Sequence, residues 1–219
     1  MRESALIAIV DDDDSVRKAL VRVLVTTGND VRSYSSAEAF LEDANIAKLS
    51  CVISDLRMPG LDGLNLQSLL VERMPHVGIV FLTGHADVSS SVKAMKAGAV
   101  DYLEKPVKRT QLVEAIDRAI GRTRAAEAAA NELRDLQQRY SNLTPRERQV
   151  LALVSAGLLN KQIAAELAAA EKTIKQHRGV VMRKMRADSL AELVVMAQRL
   201  GVRPSQVDFS KAKGLIRAS

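Results

Sequence analysis

The sequence predicts an α/β chain: a doubly wound parallel sheet of five strands, followed by a helical linker and a small all-α domain. Over residues 1–122 short apolar runs of strand length alternate with amphipathic stretches of helical length. That alternation is the pattern of strands that pair in parallel and carry helices on both faces of the sheet. From Gln111 to Tyr140 the composition shifts to Ala, Glu, Arg, Gln and Leu, all strong helix formers. After residue 141 the apolar spacing is helical throughout.

The strand candidates are Ala5-Leu6-Ile7-Ala8-Ile9-Val10, Cys51-Val52-Ile53, Gly78-Ile79-Val80-Phe81-Leu82 and Val100-Asp101-Tyr102-Leu103, with a weaker one from Val31 to Tyr34. Helical patterns lie between them, near residues 15–27, 36–44, 63–73 and 87–97, and from 108 onward. The last of these is expected to run on into the linker. Leu112, Ala119, Ala126, Leu133 and Tyr140 recur at seven-residue intervals, the spacing of a weak coiled-coil seam. A solvated spacer helix competes with that reading, because Ile116, Thr123, Ala130 and Gln137 are mostly small or polar. Thr144 is expected to be an N-cap, with Pro145 first in its helix and Glu147 completing a capping box. Further helices fall near 160–167, 171–185 and 189–199, and the tail from Gly201 is expected to be disordered. The expected divisions are 1–122, a linker at 123–140, a domain at 141–202 and a tail at 203–219.

The net charge of +6 is unevenly placed: residues 1–124 sum to −1 and residues 125–219 to +7. A basic C-terminal part suits a phosphate backbone as partner, against the alternative of a solvated basic surface. Aromatic residues are 3% and Trp is absent, which disfavours stacking on unpaired bases and favours duplex DNA. No apolar stretch is long enough to span a membrane and no signal-peptide pattern opens the chain, so a cytoplasmic protein without a membrane partner is expected. The single cysteine, Cys51, lies in an apolar run and reads as a buried structural thiol.

Asp11, Asp12, Asp13 and Asp14 follow the first strand, and their mutual repulsion asks for a compensating cation. In an open parallel sheet, residues just beyond the carboxyl ends of the strands share one rim. Asp55 follows the third strand, Thr83 the fourth and Lys105 the fifth, so carboxylates, a hydroxyl and an ammonium converge there. A hard divalent ion with oxygen ligands, Mg²⁺, would relieve the carboxylates and shield an incoming phosphoryl group. Asp13 and Asp14 read instead as helix N-terminal charges, and His76 and His85 as surface residues.

These residues resemble the receiver domain of bacterial two-component response regulators. The resemblance is carried over residues 5–120 by the acidic pair after the first strand, by Ser54-Asp55-Leu56-Arg57-Met58-Pro59-Gly60 with Asp62-Gly63, by Leu82-Thr83-Gly84-His85 and by Tyr102-Leu103-Glu104-Lys105-Pro106. It implies a flavodoxin-like fold and a phosphoryl acceptor at Asp55, supplied by a phosphohistidine on a partner histidine kinase. Asp12, Asp55 and the Arg57 carbonyl would hold Mg²⁺, with Asp11 acting through water. Lys105 would pair with the phosphoryl oxygens, before a cis bond to Pro106. Thr83 would hydrogen-bond the phosphoryl group and Tyr102 would turn inward. Such a protein is not an enzyme. A rival reading is a phosphatase of the haloacid dehalogenase type, with Asp11 as nucleophile in Asp11-Asp12-Asp13-Asp14-Ser15; it needs an acidic pair after the fourth strand, where Leu82-Thr83-Gly84 stands.

Residues 143–200 resemble the helix-turn-helix domain of LuxR-type regulators, in the FixJ/NarL arrangement. Leu143-Thr144-Pro145-Arg146-Glu147-Arg148, Gly157, Asn160-Lys161-Gln162-Ile163-Ala164 and Glu171-Lys172-Thr173-Ile174-Lys175-Gln176-His177-Arg178 carry that resemblance. It implies that the face bearing Lys172, Lys175, Gln176 and Gly179 enters the major groove, with Lys175 reading guanine and Gln176 adenine. Asn160, Lys161, Lys172, Thr173 and His177 are expected among the remaining DNA contacts, mostly to phosphates. One departure is Ala168-Ala169 in the turn, where the family has Gly and a bulky aliphatic; Ala at a positive φ would cost about 1 kcal/mol relative to Gly. Phosphorylation is expected to favour a homodimer through a face including Val92, Met95 and Lys96. RNA polymerase is a further partner open to such a regulator, and a phosphorylation-independent binding protein with a scaffold receiver is the competing functional reading.

Overall fold

A computed structural model describes residues 4–43, 46, 48–84 and 88–203. The chain divides into two compact units, Met1–Ala128 and Ala129–Ser219. His85 and the tail from Pro204 onward lie outside the described residues. Among the described residues no helix is long and apolar enough to cross a membrane.

The first unit alternates β1 (Leu6–Val10), α1 (Asp14–Val25), β2 (Asp30–Tyr34), α2 (Ala37–Glu42), β3 (Leu49–Asp55), α3 (Gly63–Arg73), β4 (Gly78–Thr83), α4 (Val88–Lys96) and β5 (Asp101–Glu104), and ends in the first part of α5 (Arg109–Ser141). All five strands are parallel, in the order β2-β1-β3-β4-β5. Side chains alternate faces along a strand, so each strand feeds two cores. Ile7, Ile9, Cys51, Ile53, Val80 and Leu82 pack with Leu20 and Leu24 of α1 and with Leu112, Ile116 and Ile120 of α5. Ala8, Val10, Val52, Ile79 and Phe81 pack on the other side with Phe40 of α2, Leu66 and Leu70 of α3 and Ala94 of α4. Cys51 is buried in the first core, where desolvation pushes its thiol to about 12 and leaves it without a reactive thiolate.

Two glycines follow from close packing. A Cβ on Gly63 would lie 2.4 Å from the Asp55 carbonyl oxygen, so the turn into α3 admits no side chain there. Gly78 opens β4 against α5, where an added Cβ would meet Ala119 Cβ at 2.9 Å.

The second unit holds the end of α5, α6 (Pro145–Ser155), α7 (Asn160–Glu166), α8 (Glu171–Met185) and α9 (Leu190–Arg199). Its core gathers Val150, Leu151, Ile163, Leu167, Ile174, Val181, Met185 and Leu193, with Leu136 of α5 buried among them and Tyr140 packed against them. The seven-residue seam is therefore not a continuous one. Leu112 and Ala119 are spent on the first core and Tyr140 on the second, which leaves Ala126 and Leu133 half-buried between. The segment 123–140 is anchored at its start as well. Thr123 is buried, its hydroxyl accepting from Gly78 N–H at 2.9 Å and lying 2.7 Å from the Ser50 carbonyl.

The capping box forms as its residues expect: Thr144 Oγ1 accepts from Glu147 N–H, and Glu147 Oε2 accepts from Thr144 N–H at 2.7 Å. Glu147 also accepts from Lys184 of α8 at 2.7 Å, which ties α6 to α8. Burial opposes the Glu147 charge, but the Lys184 ammonium and the Thr144 amide prevail and hold its carboxyl below the ordinary range. A depressed folded-state pKa stabilises the fold above the ordinary carboxylate pKa, and that contribution is lost as pH falls through the folded value. The turn between α7 and α8 carries the expected strain: Ala168 has φ +47, Ala169 N–H donates to the Ala164 carbonyl at 2.9 Å, and Ala168 N–H to Ala165 at 3.3 Å. This is the paired-bond helix ending in which Gly is favoured at the left-handed position.

Two outcomes follow for the stability of the second unit. Ala168→Gly is expected to raise it by about 1 kcal/mol, measured as a higher denaturant midpoint for loss of far-UV circular dichroism. Glu147→Gln is expected to lower it by about 1 kcal/mol at neutral pH and to flatten the fall in melting temperature on acidification, since the ionised group that loses its partners at low pH is no longer there.

Candidate functional site

The parallel register sets the site. Val10 lies opposite Ser54, so Asp11 and Asp55 leave adjacent strands side by side where the winding direction of the sheet reverses. Ligand atoms of Asp11, Asp12 and Asp55 all fall within 4.8 Å of one another. Lys105, just past β5, reaches across to both: its Nζ donates to Asp11 Oδ2 and to Asp55 Oδ2, each at 2.6 Å. Asp11 is 1% exposed, Asp55 13% and Lys105 19%, so these charges meet away from bulk water. Three carboxyl groups gather around one ammonium, and such an all-oxygen, acid-rich donor set fits a hard divalent cation.

Burial pushes the Asp11 carboxyl above the ordinary range, against the pull of Lys105 and of the Asp13 amide, and the charge of Asp55 adds to the rise. Burial works the other way on the Lys105 ammonium, but its hydrogen bonds to Asp11 and Asp55 outweigh that and raise its pKa. Lys105 therefore stays protonated at neutral pH. Asp13 caps α1 by accepting from Ser15 and Val16 N–H, and Asp14 pairs with Arg17 and Lys18, so both act as helix N-terminal charges.

Thr83 ends β4 fully buried, and its carbonyl accepts from Lys105 N–H at 2.7 Å. Tyr102 of β5 lies opposite Phe81 of β4 and packs into the core on the α2–α4 side, with a buried hydroxyl that has no hydrogen-bond partner among the described residues. Arg57 N–H donates to Asp55 Oδ1 at 3.1 Å, and the Lys105–Pro106 bond is cis. One neighbour escaped the sequence reading: Arg17 Nη1 donates to the Asp11 carbonyl at 2.7 Å while its Nη2 meets Asp14 at 2.9 Å. Its signal, a basic residue in the first turn of α1, does not separate it from an ordinary surface arginine.

In the second unit α8 presents two faces. Ile174, Val181 and Met185 are buried, whereas Lys172, Lys175, Gln176 and Gly179 are exposed together and Thr173 and His177 half-exposed. Lys161 is exposed on α7, and Asn160 is half-buried with its Oδ1 accepting from Arg178 at 3.1 Å. A Cβ at Gly179 would meet nothing within 4 Å, so the backbone there is open to a close approach. Two arginines not singled out by their spacing hold this face in place. Arg146 donates to the Leu167 carbonyl at 2.6 Å, at the end of α7, and Arg139 to the Met185 carbonyl at 3.1 Å, at the end of α8.

Comparison with known proteins covers both units. Residues 7–117 match the response regulator receiver domain, and residues 141–197 match the bacterial regulatory proteins of the luxR family. The chain is 45% identical over 197 residues to the transcriptional regulatory protein FixJ of Rhizobium meliloti, covering 90% of this chain and 97% of that one. It is 42% identical over 198 residues to nodulation protein W of Bradyrhizobium diazoefficiens, covering 90% and 87%. Among solved structures it is similar to the response regulator StyR, with a TM-score of 0.80, 40% identity and coverage of 90% and 100%. These matches overturn the phosphatase reading. The chain belongs to the two-component response regulators that join a receiver domain to a LuxR-type DNA-binding domain.

Proposed function

We propose that Asp55 accepts a phosphoryl group from a partner histidine kinase, and that the acyl phosphate so formed promotes self-association and sequence-specific binding of duplex DNA. The observation that carries this reading is the Lys105 ammonium, 2.6 Å from both Asp11 and Asp55 beside a third carboxylate, Asp12. In the transfer an Asp55 carboxylate oxygen attacks phosphorus. A P–O bond forms as the P–N bond of the phosphohistidine breaks, and the imidazole nitrogen keeps the electron pair and takes up a proton. Mg²⁺, held by Asp12, Asp55 and the Arg57 carbonyl with Asp11 acting through water, would neutralise charge on the phosphoryl oxygens. Lys105 remains protonated through the step and exchanges its bond to Asp55 for one to a phosphoryl oxygen. The Thr83 hydroxyl then donates to another, and the Tyr102 side chain occupies the space behind it.

Self-association is supported by α4, where Val88, Val92 and Met95 are exposed at helical spacing, with Lys96 beside them. One recognition helix reads few bases, and two on a two-fold site double the contacts. In each copy Lys175 and Gln176 read base edges, and Lys161, Lys172, Thr173, His177 and the Asn160 amide hold phosphates, with Gly179 close to the groove. RNA polymerase is the further partner of a regulator placed on DNA in this way.

Asp55→Asn is expected to abolish acid-stable, base-labile labelling by acetyl phosphate and to remove the rise in sedimenting mass that beryllofluoride with Mg²⁺ produces in the unsubstituted protein. Labelling retained in the variant would sink the acceptor assignment, and equal DNA affinity in both proteins under phosphorylating conditions would favour phosphorylation-independent binding. On the DNA side, Lys175→Ala should cost about 1–3 kcal/mol on the preferred site and relax the base preference at one position, whereas Lys172→Ala should weaken all duplexes alike and reduce the salt slope by about 1. Electrophoretic mobility shifts on matched and substituted duplexes at several salt concentrations separate the two effects.

A further inference from the structure

Glu38 stands in the first turn of α2, outside every motif described above, yet its Oε1 accepts a hydrogen bond from the Leu61 N–H at 2.8 Å. Leu61 belongs to the loop between β3 and α3, which leaves Asp55 and carries Arg57. Most of what shapes this loop comes from its own ends. Arg57 N–H donates to Asp55 Oδ1 at 3.1 Å, Gly63 N–H donates to the Leu56 carbonyl at 3.0 Å, and Asp62 caps α3 by accepting from Asn65 N–H at 2.8 Å. Glu38 reaches in from a different element and braces the loop from the side.

The fit between the two is close. Gly60 has φ +76, and a Cβ built there would lie 2.7 Å from Glu38 Oε1, so the carboxylate and a side chain at residue 60 compete for one place. The bond is charge-assisted: backbone amides of Glu38 and Leu61 and the Ser36 hydroxyl hold the Glu38 carboxyl below its ordinary range, so it is ionised at neutral pH and a stronger acceptor for it.

We infer that Glu38 is a positioning residue for phosphoryl transfer: by holding Leu61 it sets the path of the loop that presents the Arg57 carbonyl and the Asp55 carboxylate to Mg²⁺. The inference rests on the reading of Asp11, Asp12, Asp55 and Arg57 as the Mg²⁺ site. Glu38 acts through the loop and touches neither the ion nor the phosphoryl group, in the way that partners one step removed from a metal orient the groups that bind it.

The test is calorimetric titration of MgCl₂ into the full-length protein and its Glu38→Ala, Glu38→Gln, Gly60→Ala and Asp12→Asn variants, with a thermal melt of each in the absence of metal. Glu38→Ala is expected to bind Mg²⁺ about tenfold more weakly, the low end for loss of an orienting partner. Glu38→Gln keeps an acceptor oxygen and should recover most of that loss, and Gly60→Ala, which strains the loop at φ +76 and crowds the carboxylate, should weaken binding at least as much as Glu38→Ala does. Unchanged Mg²⁺ affinity in Glu38→Ala overturns the inference even if its melting temperature falls, because the residue then serves stability alone. A Gln variant as weak as the Ala variant overturns the hydrogen-bond account. Asp12→Asn separates the two levels: full Mg²⁺ affinity there refutes the acidic site itself, whereas its loss beside an unchanged Glu38→Ala refutes only the brace.

Discussion

Val10 lies opposite Ser54, and one residue further on Asp11 and Asp55 leave the sheet together with Asp12 close by. Carboxylates this close in a partly buried edge repel strongly, and the fold compensates with one side chain from two strands away. The order β3-β4-β5 puts Lys105 at the same edge, and its amide is tied to the Thr83 carbonyl, so the stem starts from a defined point and the ammonium spans to both acids. Everything chemical in the first unit depends on this balance. With Lys105 in place the site still holds more carboxylates than cations, and without it Asp11 would be buried with only the Asp13 amide as a partner.

The two faces of the sheet are finished differently. On the side of α1 and α5 the core is apolar, and Thr123 closes it by tying α5 to the starts of β3 and β4. On the side of α2, α3 and α4, Gln67 is buried with its Nε2 bonded to the Ala94 carbonyl, while its Oε1 and the Tyr102 hydroxyl have no partner among the described residues. Each such atom costs about 1–3 kcal/mol.

In the second unit the exposed face of α8 is a by-product of how firmly its other face is held. Ile174, Val181 and Met185 enter the core, Lys184 is anchored on Glu147, and Arg146 and Arg139 fasten the helix ends on either side. These bonds fix the orientation of α8, and the helix ends around it are not free of strain. Ala168 and Arg186 both adopt left-handed conformations at helix ends, with φ of +47 and +55. The strain at Ala168 is tolerated because the Ala164 and Ala165 carbonyls both find donors in the turn.

Periodicity and punctuation made the five strands, the long α5 and the capping box at Thr144 legible, since each depends on residues within a turn or two of one another. Asp55, Lys105 and Thr83 were legible for a related reason: in a parallel sheet every strand ends on the same rim, so residues that follow strands converge however far apart they lie in the chain. The exposed Lys172, Lys175 and Gln176 could be assigned to one face of α8 by the 3.6-residue repeat alone. The seven-residue repeat left a seam and a spacer helix both open, because spacing along α5 does not reveal that its two ends serve different cores. The contacts of Arg146 and Glu38 were invisible for the same reason: each bonds to a backbone group far away in the chain, at Leu167 and Leu61, and such a partner leaves no mark in residue type or spacing. Local pattern thus determined the elements and the rim; only the tertiary structure decided which charges meet, because Lys105 and Glu38 find their partners through the order of the strands and the course of one loop.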